Sequence, residues 1–330
     1  MNTTAEYDIV GIGDTLIDVF IKLPTGHIEE TAQGAELCIP YGAKIPFESA
    51  TIVPGVGNSA NACVSASRLG MKTALVTFLG KDENGQKCID QLQKENVSTA
   101  FITQEENIPT NYHYVLWYGN DRTILVKHAE FTSLLPDIGS PQWIYLSSLG
   151  THTKELHFAI AEYMQKHPDV RLAFQPGTFQ LNLKQELSDL YKEVDVLCMN
   201  KEEAEELLDV HTEDMKELLN GLEALGPHTV IITDGHIGSY MKHENTYFSM
   251  PIYPDIATPL ERTGAGDAFF STFIAYLAKG YDATYAIKRA PINSMNVVQH
   301  IGAQEGLLSE KEIEDYLKKS LDSYALKIMD

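Results

Sequence analysis

Positive charge is scarce in this chain, and the shortage limits what the protein can bind. Only 25 lysine and arginine residues stand against 46 aspartate and glutamate residues, which gives a formal net charge of −21. A surface this acidic repels a phosphate backbone, so we expect no nucleic-acid partner. It also repels anionic substrates, except where local groups or metal ions reverse the field.

Cysteine and long apolar runs are scarce as well. The cysteines are scattered and make no paired metal-binding spacing, so reduced thiols in a cytoplasmic protein are the simplest interpretation; they are Cys38, Cys63, Cys88 and Cys198. No apolar run approaches the length of a membrane span, so we expect no membrane partner. The N-terminal residues are polar and acidic, which is not the pattern of a signal peptide.

The most informative segment is Arg-Thr-Gly-Ala-Gly-Asp at 262–267. The large apolar side chains that follow it have the period of one buried helix face; they are Phe269, Phe270, Phe273, Ile274 and Leu277. The first amides of a helix lack intrahelical partners and form an anion site. Asp267 would repel an anion, so it either caps the helix or acts as a base toward a hydroxyl that attacks a phosphoryl group. Spacing alone leaves both interpretations open.

Five segments in register resemble the signatures of the ribokinase-like sugar kinase family, of the phosphofructokinase-B type. Residues 263–269 resemble its C-terminal signature. The others are residues 10–18 (first strand and substrate-binding aspartate), 54–70 (N-terminal signature), 200–203 (Asn-x-x-Glu) and 233–238 (Thr-x-Gly-x-x-Gly). The resemblance implies an ATP-dependent kinase with a three-layer α/β/α ribokinase-like fold, a mostly parallel central sheet and a small β lid.

The strand and helix pattern leads to a compatible architecture. After Trp143 apolar strands alternate with helices, which indicates parallel strands joined by crossover helices. Ligands of such sheets bind beyond the carboxyl ends of the strands, where Asp14, Asn200, Thr233 and the Thr263 loop are expected to gather. We expect residues 1–330 to form a single kinase domain. The lid would be inserted from about 19–53, where the apolar pattern is irregular and predicts little regular structure, and from 111–128, and would include a hairpin around Gly119-Asn120-Asp121-Arg122.

The resemblance assigns roles for catalysis and acceptor binding. It implies that Asp267 is the base, that the amides of Gly264, Ala265 and Gly266 hold the developing phosphoryl charge, and that Asp18, Gly57 and Asn61 bind the acceptor. Each has a structural alternative: Asp18 as an exposed turn acid, and Gly57 with Asn61 as a helix cap and a packed small residue. The family usually has two adjacent glycines at this point, whereas Val56 precedes Gly57 here. The local acceptor contact therefore stays open.

The resemblance also implies sites for the nucleotide and for metal ions. The nucleotide-binding residues would be Asn200, Thr233, Gly235, Gly238, Asn293 and Asn296. Glu203 would hold Mg2+, through water, although acids in so acidic a helix commonly face solvent. Glu261 and Gly302 would bind a monovalent cation, with K+ as a possible activator. Arg262 could reach a transferring phosphate, while His113 and His128 are expected to be structural or to lie on the surface.

Three functions and two oligomeric states stay open at this stage. A sugar with a hydroxymethyl acceptor is the first interpretation. A nucleoside kinase is the second, because residues 11–19 are particularly similar to the adenosine kinase branch. A non-catalytic ligand-binding relative is the third, and the retention of Asp267 disfavours it. The lid hairpin carries apolar groups on both faces, which predicts a homodimer through the lid, whereas the adenosine kinase branch tends to be monomeric.

Overall fold

The computed structural model describes residues 6–31, 34–119, 121–260 and 262–329. The strands are β1 (Ile9–Ile12), β2 (Leu16–Lys22), β3 (His27–Thr31), β4 (Gly34–Cys38), β5 (Ser49–Val56), β6 (Thr73–Gly80), β7 (Val97–Ser98), β8 (Ile102–Glu105), β9 (Tyr112–Tyr118), β10 (Asp121–Leu125), β11 (Trp143–Leu146), β12 (Arg171–Phe174), β13 (Val196–Asn200), β14 (Thr229–Asp234), β15 (Gly238–His243), β16 (Thr246–Met250) and β17 (Lys327–Ile328).

The helices fill the connections between most of these strands. They are α1 (Asn58–Arg68), α2 (Glu83–Lys94), α3 (Lys154–Lys166), α4 (Thr178–Leu183), α5 (Ser188–Lys192), α6 (Lys201–Leu208), α7 (Met215–Glu223), α8 (Ala265–Ala278), α9 (Ala283–Ile287), α10 (Ala290–Val297) and α11 (Glu310–Lys318), with a 3-10 turn at Lys184–Leu187. The alternation predicted after Trp143 is therefore confirmed.

The large sheet is parallel through its centre and antiparallel at one end. Its order is β17-β16-β15-β14-β13-β12-β11-β1-β6-β7, and β8 also pairs with β6. Strands β11 to β14 pair in parallel with their neighbours, as do β1, β6, β7 and β8, whereas β14 to β17 pair antiparallel. Every residue of β6 and β11 is buried, as expected for strands covered on both faces.

Alternate side chains of the central strands enter two different hydrophobic cores, which produces three layers. Ile144 and Leu146 of β11 pack in the core that includes α3 and α7. Trp143 and Tyr145 pack on the opposite side, with α8, α9 and α10. This period of two is the geometry of a strand between two helical layers. The predicted three-layer α/β/α fold is confirmed.

A smaller sheet of four strands forms beside the large one. Its order is β10-β9-β2-β5; β2 pairs in parallel with β9 and antiparallel with β5. Strands β9 and β10 form the expected hairpin, in which Asn120 lies outside the described residues. Residues 19–53 were expected to be largely irregular, but most of them form strands, including the separate two-stranded hairpin β3–β4. These strands form because they pair with neighbouring strands, and the irregular apolar pattern of the sequence did not predict that pairing.

Within the described residues, no helix combines the length and the apolar character that crossing a bilayer requires.

Candidate active site

Polar residues gather at the carboxyl edge of the parallel sheet. Strands β1 and β13 run parallel to their neighbours and β14 runs parallel to β13, so the residues after these three strands share one edge. Asp14 follows β1 by two residues, Asn200 is the last residue of β13, and Thr233 lies at the end of β14. The loop before α8 reaches the same edge, because Gly266 and Thr233 line one pocket.

Asp267 lies in the first turn of α8 and is only 6% exposed. Gly264 precedes the helix with a left-handed φ of +79°, and a Cβ there would lie 2.3 Å from the Cβ of Ala303. Only glycine fits such a backbone and such a close approach. This tight turn aims the carboxylate of Asp267 into the site rather than along the helix surface.

Three side-chain amides hold the carboxylate of Asp267. The Nδ2 atoms of Asn58 and Asn61 donate to its two oxygens over 2.9 and 2.8 Å, and Gln175 Nε2 donates over 3.4 Å. Burial raises the pKa of Asp267, and these hydrogen bonds oppose that rise. Neutral donors therefore stabilise the ionised form inside a buried site, which is the form that a general base needs.

Asn61 and Gly57, expected at the acceptor, have protein partners in this structure. The Asn61 amide donates to Asp267, and its Oδ1 accepts a 3.0 Å hydrogen bond from Gln304. Gly57 has a φ of +131°, and a Cβ there would lie 2.1 Å from the backbone oxygen of Asp14. Asn61 thus orients the base, and Gly57 lets the start of α1 approach the strand end at Asp14.

The acceptor end of the site pairs two aspartates with two histidines. His113 lies opposite Asp18 in the β2–β9 register, with Nδ1 3.8 Å from Asp18 Oδ1. His128 Nδ1 lies 3.4 Å from Asp14 Oδ2, and the two imidazole rings are 5.7 Å apart. A hydrogen bond to Asp14 raises the pKa of His128. Burial, with the neighbouring His128, lowers the pKa of His113 to about 4. His113 and His128 thus lie beside the two aspartates, so we add them to the candidate site, although the sequence had indicated structural or surface histidines.

A pocket beside α8 contains half of the predicted nucleotide residues. Thr233, Gly235 and Gly238 line one wall, and Ala265, Gly266 and Arg262 line another. Gly238 has a φ of +128°, and a Cβ there would lie 2.3 Å from the backbone oxygen of Met250. The remaining wall belongs largely to α10 and includes Pro291, Ser294, Met295 and Val298.

Asn293 and Asn296 do not line this pocket. Asn293 is fully buried; its Nδ2 donates to Thr272 Oγ1 over 2.8 Å, and its Oδ1 accepts from the amide of Leu308. Asn296 donates to the backbone oxygen of Gly306. Helical periodicity explains the difference, because residues 291, 294, 295 and 298 share one helix face and the two asparagines lie off it. Ser294 and Met295 replace them as the pocket residues.

Asn200 and Glu203 form a reciprocal cap at the start of α6. Asn200 Oδ1 accepts from the amide of Glu203, and Glu203 Oε2 accepts from the amide of Asn200. Burial raises the pKa of Glu203, and the acids Glu202, Glu206 and Asp267 raise it further. Oxygen donors concentrated in this way fit a hard cation such as Mg2+.

Of the two residues expected to bind a monovalent cation, the structure describes only Gly302. Glu261 lies outside the described residues. Gly302 is buried with a φ of +84°, and a Cβ there would lie 3.6 Å from the side chain of Val53. The backbone at Gly302 therefore touches the smaller sheet.

Asn58 and Gln175 were absent from the residues expected to form the site, and Asp14 was expected at this sheet edge but was given no role. Gln175 directly follows β12, and Asp14 closely follows β1, so the rule that placed Asn200 at the sheet edge applied to both. Asn58 is the first residue of α1, next to Gly57. His128 lay in a segment without regular structure, and the sequence carried no signal for its position.

Comparisons with known proteins agree with this geometry. The sequence profile of the pfkB family of carbohydrate kinases matches residues 32–310. The ribokinase of Bacillus subtilis is 28% identical over 273 residues, covering 80% of this chain and 88% of its own. The 2-dehydro-3-deoxygluconokinase of Thermoproteus tenax is 26% identical over 282 residues, covering 79% and 85%. The structure of Arabidopsis thaliana ribokinase with ribose and ATP superposes with a TM-score of 0.79 at 19% identity, covering 96% of this chain and 99% of that one.

The chain belongs to the pfkB family of carbohydrate kinases. It is a phosphotransferase whose acceptor is an alcohol group.

Proposed function

We propose that this protein transfers the γ-phosphoryl group of ATP to a hydroxymethyl group of a neutral sugar. The observation that carries the proposal is the buried carboxylate of Asp267, held by three amides between the nucleotide pocket and the paired aspartates. Asp267 takes the proton of the acceptor hydroxyl as its oxygen attacks the γ-phosphorus, and ADP leaves. The first amides of α8, at Gly264, Ala265 and Gly266, stabilise the charge on the transferring group.

The acceptor would lie between Asp18 and Asp14. A carboxylate accepts hydrogen bonds from two sugar hydroxyls with good directionality, and Asp18 stands on β2 facing His113. Two carboxylates at one end of the pocket disfavour an acid or phosphate on the acceptor. The Bacillus subtilis relative is a ribokinase, and a neutral sugar as acceptor agrees with the charge of this end of the pocket.

ATP would occupy the pocket between Thr233, Gly238 and α10. Arg262 and the first residues of α8 line this pocket, where they would face the phosphates. Asn200, at the end of β13, would support the same shell. Glu203 would hold Mg2+ through water; the ion when bound neutralises charge on the nucleotide oxygens. Glu261 and Gly302 remain the residues proposed for K+, in a role of activation.

A panel assay separates the alternatives. Purified protein is incubated with Mg·ATP and D-ribose, D-fructose, 2-dehydro-3-deoxygluconate or adenosine, and ADP release is measured. We expect turnover with a neutral sugar. Turnover with adenosine alone would establish the nucleoside kinase that residues 11–19 favour. ATP consumption with none of a broad set of sugars and nucleosides, despite measured binding, would favour a non-catalytic relative.

We further propose that residues 1–330 are one cytoplasmic kinase domain and that the smaller sheet is its lid, inserted from about 19–53 and 111–128. The face of the smaller sheet that carries Asp18, Phe20 and Val53 turns toward the site, since Gly302 packs near Phe20 and Val53. Closure of this face would exclude water, which otherwise competes as the phosphoryl acceptor.

The opposite face of the smaller sheet carries the argument for a homodimer. Ile52, Val19, Tyr114 and Leu125 are neighbours in register across all four strands. Three of them are large and open to solvent: Ile52 is 59%, Tyr114 45% and Leu125 52% exposed. Val19 is itself buried against Leu79 and Cys88, so the exposed apolar groups lie on either side of it. Exposed apolar groups of this kind mark an interface, and a two-fold copy of the same face is self-complementary.

Sedimentation velocity tests the dimer. We expect twice the mass of the 36.7 kDa chain for the natural sequence and a monomer for Leu125→Glu. Leu321→Glu is the matched control, because Leu321 is 65% exposed and lies outside the smaller sheet. A monomeric natural protein at micromolar concentration would remove the dimer and strengthen the nucleoside kinase alternative.

A further inference from the structure

The hairpin β3–β4 forms a two-stranded sheet of its own. Most of its residues are exposed on both faces. A ribbon of two strands is marginally stable in water unless another element or a ligand stabilises it. The hairpin joins the smaller sheet near Gly26, whose backbone oxygen accepts a 2.7 Å hydrogen bond from the hydroxyl of Tyr118.

One face of this hairpin concentrates metal-binding side chains. His27 lies directly opposite Cys38, and Glu29 lies opposite Glu36. Because side chains alternate along a strand, these four residues share one face. The ligand atoms of His27, Glu29 and Cys38 all lie within 4.8 Å of one another. Cys38 Sγ already donates a 3.6 Å hydrogen bond to Glu29 Oε2.

The donor set selects a particular kind of ion. One imidazole nitrogen, one sulfur and one carboxylate oxygen suit Zn2+, which prefers nitrogen and sulfur ligands in a tetrahedral arrangement. Mg2+ and Ca2+ prefer oxygen ligands alone. We propose that His27, Glu29 and Cys38 form a zinc site, with the fourth position taken by water or by Glu36.

Binding would involve coordination without any change of oxidation state. The Cys38 thiol loses its proton to solvent, and the thiolate, the carboxylate and the neutral imidazole each donate an electron pair to Zn2+. The ion joins β3 to β4 at two opposed positions and so stabilises the exposed ribbon. The proposed site lies on the β3–β4 hairpin and uses none of the residues proposed for phosphoryl transfer, so it stands independently of the proposed function.

Thiol protection provides a specific test. Cys63 and Cys88 are fully buried and Cys198 is 2% exposed, so Cys38 is the thiol that a disulfide reagent reaches in the folded protein. The full chain is freed of metal with a chelator, kept without nucleotide, and titrated with zinc. We expect one equivalent to slow the modification of Cys38 by at least roughly tenfold, with release of a proton. Excess Mg2+ should give no protection.

Two variants and one control decide the assignment. His27→Ala retains the thiol but should lose the protection, and Cys38→Ser should lose one equivalent of bound zinc by calorimetry. His211→Ala should behave like the natural protein, because His211 is also exposed and beside a carboxylate, that of Glu205, but stands far from the hairpin in the chain. Equal protection in His27→Ala, or equal zinc binding by Cys38→Ser and the natural protein, would overturn the proposal.

Discussion

The two ends of the candidate site hold their carboxylates in different ways. At the phosphoryl end, Asp267 is held by neutral amides from α1 and from the residue after β12. At the acceptor end, Asp14 and Asp18 face imidazoles, and Asp18 and His113 belong to the smaller sheet. The proposed base is thus anchored by the large α/β body, whereas much of the proposed recognition site stands on a thin four-stranded sheet.

This difference predicts different responses to pH. Side-chain amides do not titrate, so the charge at the phosphoryl end changes with pH only through the ionisation of Asp267 itself. The hydrogen bond to Asp14 raises the pKa of His128, so His128 loses its proton only above its ordinary range. As the pH rises, the acceptor end therefore loses the positive charge of its imidazoles, whereas the phosphoryl end gains the negative charge of Asp267, whose pKa burial raises.

The largest effect should come from removing the base at the phosphoryl end. Asp267→Asn keeps the shape and the helix start but cannot accept a proton, so we expect kcat to fall by roughly 10²–10⁴ with ATP affinity retained. Steady-state kinetics and nucleotide binding measure this. Asp282→Asn is the control, because Asp282 caps α9 and its replacement keeps a capping side chain. Activity within a few-fold of the natural protein would show that Asp267 is a structural acid.

The next effect should come from the acceptor end. Asp18→Ala removes a charged acceptor of sugar hydroxyl bonds, which costs about 2–3 kcal/mol, or roughly 30- to 150-fold in acceptor affinity. ATP affinity should stay unchanged, because the nucleotide pocket does not include Asp18. Titrating each substrate at saturation of the other measures both values. Asp322→Ala, at an exposed acid near the end of the chain, should change neither. Equal losses for both substrates would indicate a damaged fold.

The two ends also differ in how far the sequence predicted them. The strand-end residues Asn200 and Thr233 followed from a local rule, since parallel strands deliver their carboxyl ends to one edge, and Asp267 followed from the resemblance of residues 263–269 to a family signature. The Asp14–His128 and Asp18–His113 pairs depend on the β2–β9 pairing and on an irregular segment, which no local pattern encodes. Asn293 and Asn296 do not line the pocket for a related reason: a shift of one residue along a helix moves a side chain by about 100°, off the pocket face.

The amides of the phosphoryl end provide a third, smaller effect. A hydrogen bond to the charged form lowers a pKa, so removing a donor should raise the pKa of Asp267 and move the acid limb of kcat/KM to higher pH. Asn58→Leu removes a 2.9 Å donor, and we expect a shift of about one to two pH units.

Gln175→Leu supplies the internal comparison for that prediction. It removes a donor at 3.4 Å and should move the acid limb less. The acid limb of the pH profile should move whether kcat/KM is measured for ATP or for the acceptor. Damage to folding would instead lower the maximal kcat/KM without moving the acid limb. If both variants leave the limb in place, the amides do not govern the ionisation of Asp267.

The smallest effect should come from Glu203, at the boundary between the phosphoryl end and solvent. Glu203→Gln should raise the Mg2+ concentration at half-maximal activity by several-fold, since a neutral amide anchors a hydrated dication less well. Glutamine still accepts the hydrogen bond from the Asn200 amide, so the cap of α6 should survive. Glu206→Gln is the control, because it removes the same charge at an exposed position of the same helix, and it should shift the Mg2+ requirement less. An equal shift in both variants would mean that Glu203 acts only through the general negative field, and the metal site would then have to be sought nearer Asp267.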